Sequence, residues 1–451
     1  MPTTSALDGT AKPAALTGSV AANVATDWIL VALPAVLGLR VFNTRGTIFI
    51  LAAMALYVVI RKQRAAASLA VGPLLLFAAS FSVVMSRPTP GAQGAIYGLI
   101  TVGLVAVIAI AVTIQDDARV AISSLLDGLG LYLLLNLIGH LAGLKSPGAA
   151  DRAGGVNEST GFTRVIFPFS NGLDEVATLA GVFVAAIPVL LVAERHWRGY
   201  RAVCLMTGLF VAWSGASRTA LSIAVALPTI SFLFPRLIKW MAPVAALFAA
   251  TSALIMPPVM QFSGTVVDPI MKVLAPGRDT ASGDIESLSN RSNIWSRSLE
   301  FWSNHVHTMY DQLFGFGQTG QVRSGVSLTY ADILATASRH PRLGTVHNSF
   351  LQQLFDGGAL GWLMLTLCVV WVAKRFSDRL PDWGAPGRAV VIAFAGLMFG
   401  STVSVAISPG FLQHGFLTLV MLVAISCQIP KATPEASSAQ RSPAADGHPG
   451  R

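Results

Sequence analysis

The stretch Val346-His347-Asn348-Ser349-Phe350-Leu351-Gln352-Gln353-Leu354 opens an apolar run that continues to residue 373. A helix needs about 20 apolar residues to cross a bilayer, so this run reads as a membrane span. A titratable His and an Asn stand at its first turn, after a long polar segment, where a span enters the lipid. Ionisable groups at that boundary are costly to keep beside hydrocarbon and are functional suspects by default.

Composition makes the same statement about the whole chain. Of its 451 residues, 53% are hydrophobic and 12% charged, against about 25% charged in a soluble protein. Mean hydropathy is +0.62. The expected fold is therefore all-α, a polytopic transmembrane bundle. Twelve spans are read at 25–42, 46–60, 66–85, 94–114, 119–143, 172–193, 201–215, 218–234, 237–256, 347–373, 388–407 and 410–429. Pro188, Pro228 and Pro243 fall inside spans, which packed bundles tolerate. Residues 1–23 lack a basic region typical of a signal peptide and, like 430–451, read as a disordered cytoplasmic tail. The organisation is then spans one to nine over 24–256, a large loop over 257–346, and spans ten to twelve over 347–429.

The net charge of +9 does not imply nucleic acid. Lys and Arg collect in cytoplasmic loops of membrane proteins, and the expected partner is the lipid bilayer. Arg61, Lys62 and Arg64 follow the second span; Arg195, Arg198 and Arg201 the sixth; Arg236 and Lys239 the eighth; Lys374, Arg375, Arg379 and Arg388 the tenth. With twelve spans these clusters share one side, which is cytoplasmic. The alternate loops 86–93, 144–171, the turn near 214–218 and the long loop 257–346 face outward. Cys204, Cys368 and Cys427 lie in separate apolar segments, with no metal or disulfide spacing. No His/Cys/Asp cluster suggests a metal, and no cofactor is expected.

Three outward groups carry chemistry. Arg218, in Trp213-Ser214-Gly215-Ala216-Ser217-Arg218-Thr219, begins the eighth span on the side where cations are sparse. Arg291 follows a Ser289 or Asn290 helix cap, which would put its guanidinium and free N–H groups together at a helix N-terminus, an anion site. The helix from there carries Ile294, Trp295, Ser298, Phe301 and Trp302 on one face and reads as lying near the membrane, with tryptophans at headgroup depth. His347 can take a proton near neutral pH. Arg339 and Arg342 flank it, and Arg164, Asn348 and Trp295 complete the candidate substrate-binding set. Gly315-Phe316-Gly317-Gln318-Thr319-Gly320 fits a dinucleotide fingerprint on paper, but no βαβ unit surrounds it, and it reads as a flexible turn. Outward arginines suit a pyrophosphate whose lipid tail stays in the bilayer, and a His suits an acceptor hydroxyl.

These motifs, in this order and sidedness, resemble the O-antigen ligase and polysaccharide polymerase family of bacterial membrane proteins. The resemblance covers roughly 25–430. It rests on Ser217-Arg218-Thr219-Ala220-Leu221, on Arg291 with Trp295 and Leu313-Phe314-Gly315-Phe316-Gly317, and on His347-Asn348-Ser349-Phe350-Leu351-Gln352 with Gly358 and Gly361. It implies transfer of a glycan from undecaprenyl pyrophosphate to an acceptor glycan or lipid A-core, at the periplasmic face of the inner membrane. By position, pyrophosphate binding falls on Arg218 and Arg291 and the catalytic role on His347. The segment Arg164-Val165-Ile166-Phe167-Pro168-Phe169-Ser170-Asn171 departs from the family's Arg, Gly, Pro-Asn pattern. A polymerase joining lipid-linked repeats needs the same chemistry as a ligase. A non-enzymatic transporter or flippase of lipid-linked sugars is the other class, but its polar groups belong near the bilayer midplane.

Overall fold

The computed structural model describes residues 71–86, 117–146, 165–170, 173–215, 217–274, 281–335, 340–411 and 413–428, with isolated residues at 31–32, 103 and 105–106. The side chains of 173–174, 218, 259–274 and 281–290 are not among those described. The spans read at 25–42, 46–60 and 94–114 lie almost wholly outside these residues.

Among the described residues the chain is helical, with no strand. The principal helices are α1 (Val71–Met85), α2 (Ala118–Leu141), α3 (Leu173–Ala193), α4 (Arg198–Ser214), α5 (Arg218–Leu233) and α6 (Ile238–Leu274). They continue with α7 (Ala281–His305), the short α8 (Met309–Phe314), α9 (Gly320–Arg323) and α10 (Ala331–Leu334), then α11 (Ser349–Ser401) and α12 (His414–Ser426). Among the described residues, four stretches are long and apolar enough to cross a membrane: Ala118–Leu141, Glu175–Ala193, Ile238–Pro258 and Ser349–Ser401. Val71–Met85, Thr219–Leu233 and His414–Ser426 are shorter apolar helices. On α4, Val203, Met206, Phe210 and Trp213 repeat at helical spacing and are all exposed. An apolar stripe on the outside of a bundle is what a lipid solvent requires.

The helices start where their sequences supply caps. Asp117 accepts from the Arg119 amide at 2.9 Å and starts α2. Ser217 accepts from Ala220 at 3.3 Å and starts α5. Pro188 and Pro228 sit inside α3 and α5 without ending them. At one end of the bundle a buried cluster joins α2, α3 and α4. Arg201 makes a two-pronged contact with Asp127, at 2.7 and 2.8 Å, and reaches Glu194 at 2.7 Å. The buried Arg201–Asp127 pair is tolerable because the two charges neutralise each other with full hydrogen bonding, while Glu194 keeps some contact with solvent.

Two boundaries differ from the sequence reading. The ninth span was expected to end at 256, but α6 continues to Leu274. The tenth and eleventh spans form one helical run, α11, broken by non-helical backbone at Gly358 (φ 68°, ψ −170°) and Gly384 (φ 60°, ψ −131°). The charged segment between them, including Lys374 and Arg375, is helical rather than a loop. Lys374 pairs with Asp378 one turn on, at 2.7 Å, which suits a solvated helix face.

The directions of the helices follow from their contacts. Leu227 and Ile223 of α5 face Gly396, and Ile223 also faces Gly400. Val182 and Thr178 of α3 meet the same two glycines in the same order. Both helices thus run antiparallel to the last arm of α11. The starts of α3 and α5 lie at the end where α11 finishes. The 165–170 segment is there too, since the Val165 amide donates to Ser214 at 3.1 Å.

Candidate functional site

His347 stands just before α11, and Asn348 is its cap. The Asn348 side-chain oxygen accepts from Phe350 and Leu351 at 3.0 and 2.9 Å. Its amide donates to Ser252 of α6 at 2.9 Å and to the Thr402 carbonyl at 3.1 Å. Asn348 is fully buried. Both ends of its side chain are used inside the fold, so its expected substrate contact gives way to a structural one. Ser349 adds a bond to the Ser404 carbonyl at 2.8 Å. The entrance of α11 is therefore tied to its own far end and to α6.

His347 has φ +52°, in the left-handed region that costs an L-residue about 1–2 kcal/mol. His tolerates it better than most residues. Strain of this kind persists where neighbours over-determine the backbone, which is common at functional sites. The over-determination is visible on both sides. Asn348 is fixed by four bonds, and the Val346 carbonyl accepts from the buried indole of Trp295 at 2.9 Å. His347 itself is half-buried.

That indole bond changes the reading of α7. Trp295 is 2% exposed, so it does not lie at headgroup depth. Ile294 and Trp295 pack with Val326, Tyr330, Val346, Leu351 and Phe355. Trp302 meets Phe355 edge-on, with ring centroids 5.4 Å apart. The apolar face found in the sequence is real, but it is buried against the start of α11 and the outer segment. The reason is area: two indoles and their aliphatic neighbours gain more from a dry protein contact than from a wet interface.

Arg291 lies one turn before Trp295 on α7 and is half-buried. The expected cap at Ser289 or Asn290 is not there, because the helix already begins at Ala281. The backbone before Arg291 is already helical, so no free amides surround the guanidinium. An anion at Arg291 would be held by side chains. Arg218 is the first residue of α5, beginning at the same end as His347; its side chain lies outside the described atoms. Arg164 and Arg339 lie outside the described residues. Arg342 is exposed on a short turn (Pro341–Leu343), whose Arg342 carbonyl accepts from Ser327 at 2.6 Å. Burial raises the Tyr330 hydroxyl well above its usual range; it stays protonated and donates to Gly344 at 3.0 Å.

The Gly315–Gly320 segment is not a flexible turn. The break at Gly358 interrupts the helical ladder and frees carbonyls of the preceding turn. Phe316 donates to the Phe355 carbonyl and Gly317 to that of Asp356, both at 2.8 Å. A Cβ on Gly320 would collide with Phe355, and one on Gly358 with Leu313. The glycines permit backbone against backbone. Asp356 sits fully buried at this junction. It accepts from the Gly320 amide at 2.7 Å, Gln352 at 2.8 Å and the Ser408 hydroxyl at 3.2 Å.

Sequence reasoning passed over Asp356, and also Glu175, which accepts from the His414 backbone at 2.7 Å in a buried pair stacked on Tyr132. An acid inside an apolar helix was the available signal. The structure brings α7, the His347 turn and Asp356 together, and sets the start of α5 at the same end.

Compared with protein-family models, with characterised proteins and with solved structures, the chain matches none. The family resemblance therefore rests on its motifs.

Proposed function

We propose that the chain is a membrane glycosyltransferase that moves a glycan from a lipid pyrophosphate to an acceptor hydroxyl. The lipid is undecaprenyl, and the reaction runs at the periplasmic face of the bacterial inner membrane, within a bundle of about twelve spans. The observation that carries this reading is the Trp295–Val346 bond. It joins the helix of Arg291 to the strained His347 turn, at the end where the Arg218 helix begins. The bond supports a site in which a cation, a titratable base and a second cation from three distant segments act at one end of the bundle, whereas a transporter concentrates such groups at the midplane.

In this reaction the acceptor oxygen attacks the anomeric carbon and its proton passes to His347. The bond from that carbon to the pyrophosphate oxygen breaks, and its electron pair leaves with the lipid pyrophosphate. Arg218 and Arg291 neutralise the charge of the leaving group, with contributions from Arg164, Arg339 and Arg342. With so good a leaving group, positioning and charge neutralisation supply most of the rate. Ligase and polymerase activities differ only in the acceptor.

The test is substitution of His347, Arg218 and Arg291 to Ala, each with protein level measured in the membrane. Each variant is expected to lose surface glycan at normal protein level. Normal glycan amount and length in all three refutes the reading. Lipid-linked chains that accumulate while no repeat is attached assign a ligase; single attached repeats assign a polymerase.

A further inference from the structure

Arg323 was not singled out by the sequence, yet its setting is built. It closes α9, a single turn beginning at Gly320. The Gly320 amide is the one that donates to buried Asp356. The carboxylate therefore pins the start of the turn whose end carries Arg323. Gln352 bridges the same carboxylate to Gln321 within that turn, at 2.8 and 2.6 Å. The Arg323 guanidinium donates to the Phe316 carbonyl at 3.2 Å. It also stands beside Ser86, since both crowd the empty Cβ position of Gly317.

Ser86 follows directly on α1. Phe77, Phe81 and Met85 repeat along one face of that helix and are exposed, with Phe77 stacked on Phe81. Tyr310 of the outer segment is bonded to the Met85 carbonyl. An exposed cation thus crowns an apolar stripe of the kind lipid covers. The matching ligand is an anionic head on an apolar tail.

We propose that Arg323 binds the pyrophosphate head of an isoprenyl lipid whose tail lies along the Phe77–Met85 face, and that Asp356 is the residue that positions Arg323. The inference rests on the functional reading above and adds to it a cation and a support. Burial lowers the basicity of Arg323 while the Asp356 carboxylate opposes that fall, so the two groups sense each other across the turn. Asp356 acts through Arg323 and touches no substrate.

The experiment measures binding of undecaprenyl pyrophosphate to the purified full-length protein in detergent, with thermal unfolding recorded in parallel. Arg323→Ala is expected to weaken binding by about tenfold to a hundredfold, the range for one hydrogen bond to a charged group. Arg323→Lys recovers part of the loss. Asp356→Asn weakens binding in the parent but adds nothing in the Arg323→Ala background, because it works through that side chain. Equal losses from Asp356→Asn in both backgrounds overturn the positioning role. Unchanged affinity in Arg323→Ala, or full competition by phosphatidylglycerol, overturns the site while leaving His347, Arg218 and Arg291 as they stand. No binding by the parent protein overturns the functional reading and this inference together.

Discussion

Replacing Gly358 by Ala tests how the outer segment is attached to the bundle, and Gly384→Ala supplies the control. Both glycines hold positive φ, 68° and 60°, so each substitution forces an L-residue into strained backbone at a cost of about 1–3 kcal/mol. Their surroundings differ. Around Gly384 nothing lies within 4 Å of the added methyl. At Gly358 the methyl would strike the Leu313 carbonyl and lie 2.5 Å from the Phe314 amide. Forcing a methyl into closed packing costs about 1–3 kcal/mol more. Moving the segment aside weakens the bonds from Phe316 and Gly317 to the broken helix, each worth about 1 kcal/mol. Gly384→Ala should therefore lose about 2 kcal/mol and Gly358→Ala about 5. Unfolding in mixed micelles, followed by tryptophan fluorescence, gives both numbers. Glycan transfer should fall in Gly358→Ala alone, because its segment carries the Gly320 turn. Equal destabilisation of the two variants would refute the docking of 313–320 onto the break.

Trp295→Phe removes the indole donor from the buried Val346 carbonyl; a stability loss of about 1–3 kcal/mol is expected, with reduced transfer at normal protein level, read by unfolding and by glycan analysis. Arg201→Ala strands Asp127 and should cost about 3–5 kcal/mol, seen as loss of membrane-inserted protein. The pair Arg201→Met with Asp127→Leu should recover most of that, and no recovery would show that the cluster does more than hold α2 against α4. Arg297 holds the Asp332 carboxyl below its usual range. The contact is therefore present at neutral pH and lost as pH falls through that lowered value. Because Asp332 is exposed and the pair is screened, Asp332→Asn should leave unfolding almost unchanged at neutral pH and along the acid limb alike, checked by unfolding across an acid pH series.

Eight of the twelve spans read from hydropathy coincide with helices to within about five residues at their starts, from Val71–Met85 to His414–Ser426. Hydropathy finds them because a helix crossing lipid must be apolar along its length. The same logic misplaced the ends of α6 and α11. In α6 the helix runs on through Pro257 and Pro258, and between the tenth and eleventh spans it runs through a charged segment, neither of which an apolar window marks. The Arg291 cap failed for a related reason: Ser and Asn are capping residues only where the preceding backbone is not already helical.

The sequence by itself determined that the chain is helical and that several of its helices are apolar enough to suit a lipid solvent. Period and composition are local properties, and a local reading recovers them. Only the tertiary structure decided that Trp295 points inward to Val346, that Asn348 is used up as a cap, and that Gly315–Gly320 is docked on Asp356. Those outcomes depend on which buried donor finds which unpaired carbonyl. The break at Gly358 creates such carbonyls, and their partners lie some forty residues earlier in the chain. His347, first noticed as a titratable residue at a boundary, is held in strained backbone by partners on α6, α7 and the far end of its own helix. No spacing rule contains that arrangement, because long-range pairing sets it.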